Sequence, residues 1–224
     1  MSTIATLIIR CSALLMDTGL VIWPAGTLGE AFTQALDQYS AVNPLHVETV
    51  VTLPGDGREI ALSGVTGLID VLDVWWPYDT LATAETWPPN RVAGWRLWWD
   101  DAQPLLFLEI DAGAQPKTDE EVRIWYTKRH TIEGLEGGSI TSIQNDHDSL
   151  VVMGAAGHAA MSRTVDLVET AGTDLYQVSI LGTWGSRKIR EYGQALRRLE
   201  KVHARRGRSW GAGWSLDKWD RRDA

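Results

Sequence analysis

The chain has 224 residues and a mass of 24.8 kDa, with 44% apolar residues, 12 Trp and 1 Cys. That length buries a sizeable core, ordinary apolar content without a short repeat excludes collagen-like, coiled-coil and wholly disordered classes, and a lone cysteine excludes a disulfide scaffold within the monomer. The net charge of -8 is segregated: residues 1–112 carry 4 basic against 14 acidic side chains, residues 113–184 carry 5 against 10, and residues 185–224 carry 12 against 5, so the two ends of the chain are expected to meet different surroundings.

From Ser2 to Leu15 the residues Ile4, Leu7, Ile8, Cys11, Leu14 and Leu15 recur at spacings of three and four, which predicts an amphipathic helix stopped by Asp17-Thr18-Gly19. Cys11 lies on that stripe and reads as a small buried hydrophobe. A second helix is predicted after Trp23-Pro24, where Thr27-x-x-Glu30 has capping-box spacing. Its stripe is Leu28, Ala31, Phe32, Ala35, Leu36 and Tyr39, and Pro44 closes it.

Between about residues 45 and 130 the period falls to two. His46 to Leu53, Pro54-Gly55-Asp56-Gly57 and Arg58 to Ser63 read as strand, tight reversal and strand. Leu68 to Trp76, Trp95 to Trp99, Pro104 to Ile110 and Glu121 to Lys128 are further strands by their β-branched and aromatic content. Helical spacing returns after the Gly-rich segment Glu133 to Gly138. Asn145-Asp146-His147-Asp148 offers acceptors for a helix start, and Leu150, Met153, Gly157, Ala160, Thr164 and Leu167 mark one face. Because each helical glycine costs about 1 kcal/mol of propensity, the small run Gly154 to Ala160 predicts close helix-to-helix approach. A last helix is predicted from Ser186 to Arg205, with Ile189, Tyr192, Leu196, Leu199 and Val202 on one side.

The expected fold is α+β. Residues 1–44 and 145–205 supply two helix pairs of a bundle, residues 45–132 an inserted antiparallel β lobe, and residues 206–224 an extended basic, Trp-rich C-terminal arm.

Catalytic constellations are thin. His46, His130, His147, His158 and His203 show no metal-ligand spacing, and neither phosphate-loop nor nucleophile-elbow glycine patterns occur. Gly207 to Gly213 is Gly-rich but opens no helix. Asp70, Asp73, Glu109 and Asp111 read as solvated strand faces, with a glycosidase pair as the alternative. The sequence therefore predicts a non-enzymatic chain with no metal and no cofactor. No apolar run approaches the ~20 residues that span a bilayer, and Arg10 interrupts any signal-peptide core, so a soluble protein with no membrane partner is expected.

Adjacent indoles on a strand point to opposite faces, so at least one member of Trp75-Trp76 and of Trp98-Trp99 leaves the lobe's own core. Together with Trp87 and Trp125 these residues predict a protein–protein interface. The alternative is a stacking platform in a carbohydrate-binding or carbohydrate-cleaving β domain. Arg205, Arg206, Arg208, Trp210, Trp214, Lys218, Trp219, Arg221 and Arg222 interleave cations with aromatics. They predict an arm that docks on an acidic partner, and alternatively a nucleic-acid-binding segment.

In layout the chain resembles the head-tail connector, or adaptor, proteins of tailed bacteriophages. The resemblance lies in the order of its pieces: Thr3 to Ile8, Trp23 and a helix ending at Tyr39; Arg58-Glu59-Ile60-Ala61-Leu62-Ser63 leading into Ile69 to Trp75; Val122 to Thr131; a small-residue helix around Gly154-Ala155-Ala156; and Tyr192-x-x-x-Leu196-x-x-Leu199. It implies a structural virion protein, made in the host cytoplasm and placed at the head–tail junction. Copies of the chain would form a dodecameric ring under the portal ring, giving a passage for double-stranded DNA without sequence readout. That ring would offer a platform to the next neck or tail component, a stopper, terminator or nozzle. The family's C-terminal portal anchor would match the helix from Ser186 and the tail after Arg205, and the family assigns no catalytic residues. Acidic walls do not hold phosphates, while a basic arm seeks carboxylates, so the charge segregation suits this expectation.

Overall fold

The Thr3 side chain accepts the Thr6 amide at 3.4 Å, and from that cap α1 (Ile4–Leu14) buries Leu7 and Cys11 on one face. The computed structural model describes residues 2–79, 90–101, 103–169 and 174–211, without the side chains of Ala112 and of 203–211. The fold is mixed α+β, with four helices and two small antiparallel sheets. The chain forms two units, one of residues 1–43 with 130–224 and one of residues 44–129.

The first unit is helical. After α1 the Asp17 carboxylate accepts the amides of Val21, Ile22 and Trp23 at 3.1, 2.8 and 2.9 Å. These bonds, that from Trp23 foremost, hold its carboxyl below the usual range. α2 (Ala25–Val42) starts two residues before the expected box: Pro24 is its N-cap and makes no side-chain cap bond, which places Thr27 and Glu30 inside the helix. A proline's fixed φ suits the entry to a helix, so the start needs no Thr-Glu exchange. The stripe Leu28, Ala31, Phe32, Ala35, Leu36 and Tyr39 is buried as the spacing predicts.

α3 (Asp148–Glu169) and α4 (Leu175–Gly211) pack through missing side chains. A Cβ on Gly154 would stand 2.8 Å from the Tyr192 ring, and one on Gly157 would stand 2.9 Å from Ile189 and 3.1 Å from its amide nitrogen. The Tyr192 hydroxyl donates to the Ala35 carbonyl at 2.6 Å, tying α4 to α2 as well. α4 has 37 residues and begins at Leu175 where the sequence predicts Ser186. Cβ atoms on Gly182 and Gly185 would lie 3.2 Å from Thr164 and 3.1 Å from Ala160, so packing against α3 holds these glycines in the helix despite their low propensity. α4 also runs past Arg205 to Gly211, so the first residues of the expected extended arm are helical; residues 212–224 lie outside the described ones.

The second unit holds six strands: β1 (Leu45–Thr52), β2 (Glu59–Ala61), β3 (Leu68–Tyr78), β4 (Trp95–Asp100), β5 (Gln103–Leu108) and β6 (Glu121–Lys128). They form two antiparallel sheets in the orders β1-β6-β3 and β2-β5-β4. The reversal expected at Pro54 to Gly57 closes no hairpin. β1 pairs with β6 and β2 with β5, so the turn carries the chain from one sheet to the other. It is fixed from outside, since the Asp56 carboxylate accepts both the amide and the hydroxyl of Thr118 at 2.7 and 2.8 Å. The inner faces share one core, with Val71, Val74, Val122, Ile124 and Tyr126 from the first sheet and Ile60, Leu106 and Leu108 from the second.

Candidate interaction surfaces

The outer face of β1-β6-β3 is assembled by register. Glu48 and Asp73 both lie opposite Trp125, and Val50 and Trp75 both lie opposite Arg123. The Arg123 guanidinium carbon therefore sits 5.1, 5.2 and 5.0 Å from the ring centroids of Trp75, Tyr78 and Trp125. Its Nη2 pairs with Glu48 at 2.6 Å, and its side chain is 13% exposed. Cation–π contacts contribute about 0.5–1 kcal/mol each when exposed and ~2 when desolvated, so one arginine occupies three aromatic faces at once. Trp75 also donates its indole N–H to Asp73 at 3.0 Å, and Asp73 receives Arg91 Nε at 2.6 Å.

The other predicted indoles are placed apart. Trp76 packs against the unit's core and donates to Glu120 at 2.9 Å, so the Trp75-Trp76 pair divides between two faces, as pleating requires. Trp98 stacks on Phe107 with centroids 5.6 Å apart, 37% exposed, and Trp99 is 55% exposed. Trp87 lies outside the described residues. Arg205, Arg206, Arg208 and Trp210 lie on the helical backbone of α4, and Trp214, Lys218, Trp219, Arg221 and Arg222 lie outside the described residues.

Several of the remaining chemistry-bearing residues are engaged in structure. Asp70 accepts the Val71 amide at 2.9 Å, and Glu109 pairs with Arg96. The segment expected to cap α3 instead forms a 3-10 turn, Asn145–His147. His147 Nδ1 shares a 2.6 Å hydrogen bond with the Tyr39 hydroxyl, while buried Asp148 receives Ser2 and Arg10. His130 bonds Asn43 O through Nε2 at 2.8 Å and Ser142 Oγ through Nδ1 at 3.0 Å, and burial holds its pKa below the ordinary value. Burial also pushes the Cys11 thiol up to about 12. A cleft of about 510 Å³ lies between α2 and α3, bordered by Thr27, Glu30, Gln34, His158 and Ser162. Among the described residues, no group of three His, Cys, Asp or Glu side chains is placed to hold a metal, and no helix is long and apolar enough to cross a membrane.

Two features escape a stripe-by-stripe reading of the sequence. One is Arg123, because its three rings come from two strands that only the register unites. The other is a second stripe on α4: Tyr176, Ile180, Thr183, Arg187, Arg190, Gln194, Arg197 and Lys201 recur at spacings of three and four, and all are exposed. That signal is present in the sequence, on the face opposite the apolar one. No protein-family model matches the chain, and no curated protein matches it in sequence.

Proposed function

We propose that the chain is a non-catalytic structural subunit of a ring adaptor in the virion of a tailed phage, bridging the portal and the neck or tail at the head–tail junction. Copies of the chain, the portal ring, the next neck component and passing double-stranded DNA are its partners in this reading. The observation that carries it is α4. One helix of 37 residues is anchored in the helical core by Tyr192 and Leu196 and continues through Val202 to Gly211. From residue 187 to 208 the sequence carries nine basic against two acidic side chains and leads into the Trp-rich segment. An anchored cationic rod ending in large aromatics suits insertion against an acidic partner, with aromatic side chains as the anchors. The order of elements around it supports the same reading, with helices, an inserted β unit and helices again.

The test is retention on purified portal rings by co-sedimentation. The full chain is retained, and a chain ending at residue 204 is released; equal retention of the two overturns the portal-docking role of the arm.

Exposure of Trp98 and Trp99 favours a second reading, a carbohydrate-stacking face. It keeps those two residues alone of the candidates described, because Arg123 covers the Trp75 and Trp125 rings and Trp76 packs inward. Glycan-array binding lost in Trp98→Ala and Trp99→Ala would select it. A steeply salt-dependent affinity of the C-terminal segment for single-stranded DNA would select the nucleic-acid reading instead.

A further inference from the structure

Among the described residues, the far end of the α3–α4 helix pair is apolar and uncovered. Val165 and Val168 on α3 and Leu175, Tyr176 and Ile180 on α4 are between 52% and 72% exposed. Soluble proteins rarely leave such a concentration of apolar side chains to water without a partner. The charge there has one sign: from Thr164 to Ser186 the sequence has Asp166, Glu169 and Asp174 and no Lys or Arg.

The other half of the same helix is complementary. Arg187, Arg190, Arg197, Arg198 and Lys201 are exposed on α4, beside exposed Val202 and partly buried Leu199. A helix rises 1.5 Å per residue, so Ile180 and Val202 stand about 33 Å apart on one continuous rod. The tip therefore cannot reach Arg198, Lys201 and Val202 of its own chain.

We propose that the apolar, acidic tip of the α3–α4 pair of one copy docks on the basic half of α4 of a second copy, around Arg198, Lys201 and Val202. The occupant is a second copy because both complementary surfaces are on this chain and one copy cannot join them. The two surfaces differ, so the contact is head-to-tail and repeats from copy to copy. It supplies a subunit contact for the ring proposed above, and it rests on that reading for the number of copies.

Cross-linking single-cysteine variants tests it, since buried Cys11 with its suppressed thiol stays silent. Ile180→Cys mixed with Val202→Cys, treated with a short bis-maleimide, is expected to give a mixed dimer at least ~tenfold above either variant alone. Arg198→Glu in the Val202→Cys chain is expected to lower the yield ~tenfold, and Glu169→Lys in the Ile180→Cys chain to restore it within about twofold. No mixed dimer, equal dimers from Ile180→Cys alone, or no rescue by the charge exchange overturns the proposal. Protection of Val202→Cys from maleimide by short duplex DNA, without a mixed dimer, overturns it in favour of a polyanion site. Retention on portal rings without the mixed dimer defeats this contact and leaves the adaptor reading standing; the mixed dimer without retention does the reverse.

Discussion

The helical unit and the β unit each accommodate large aromatic side chains by opposite means. Beneath Tyr192 the neighbouring helix gives up its side chains, Gly154 and Gly157 bringing α3 within reach of the ring and of Ile189. On the outer sheet nothing is removed. Arg123 is added between Trp75, Tyr78 and Trp125, its charge met by Glu48. The first arrangement depends on shape and tolerates no added volume; the second depends on a cation whose apolar stem and planar head cover indole faces. The contrast teaches that a tryptophan leaving its own core need not be waiting for a partner.

Changes of volume are expected to affect the helical unit most. Tyr192→Ala is expected to cost about 3–5 kcal/mol in urea unfolding, from the lost ring and the cavity left behind. Gly154→Ala is expected to cost about 1–3 kcal/mol in the native background and clearly less beside Tyr192→Leu, since the added methyl would clash with the ring itself. Equal costs in both backgrounds would mean that the glycine is there for another reason.

Charge is the corresponding lever on the sheet. Arg123→Ala is expected to lose about 1–3 kcal/mol and to shift tryptophan emission to the red as Trp75 and Trp125 meet water. Arg123→Lys is expected to recover only part of this, because an ammonium cannot lie flat over three rings. Segment-resolved hydrogen exchange should place the Tyr192→Ala loss in residues 1–43 and 130–211 and the Arg123→Ala loss in residues 44–129.

A smaller effect separates the units by pH. Burial holds the pKa of His130 below its ordinary value of 6.5, so the unfolded chain takes up this proton first. Stability is therefore retained above about pH 6.5 and falls as the pH drops through 6.5 towards the folded pKa. His130→Gln should flatten that slope in urea titrations at pH 7.5 and 5.5, whereas Arg123→Ala should leave it unchanged. Smallest of all, Trp99→Ala is expected to change stability by no more than about 0.5 kcal/mol, as befits an exposed side chain outside any network.

Much of the fold was legible because it is local. The buried stripe from Leu28 to Tyr39 follows the 3.6 period, and the strands from Leu45 to Lys128 follow the period of two or the β-rich composition. What was not legible depends on partners distant in sequence. The start of α4 at Leu175 rests on Thr164 and Ala160 packed against Gly182 and Gly185, and the Pro54 to Gly57 turn looks like a hairpin until β6 is seen beside β1. The interface residues divide in the same way. Residue type alone singled out Trp75, Trp76, Trp87, Trp98, Trp99 and Trp125; only the structure packs Trp76 on the core, covers Trp75 and Trp125 with Arg123 and leaves Trp98 and Trp99 open, while Trp87 lies outside the described residues.

The proposed adaptor role is tested most directly by native mass spectrometry of the full chain mixed with purified portal rings. The account predicts a discrete gain equal to a whole ring of 24.8 kDa subunits on each portal, lost when the chain ends at residue 204. A portal mass unchanged at saturating chain would contradict it.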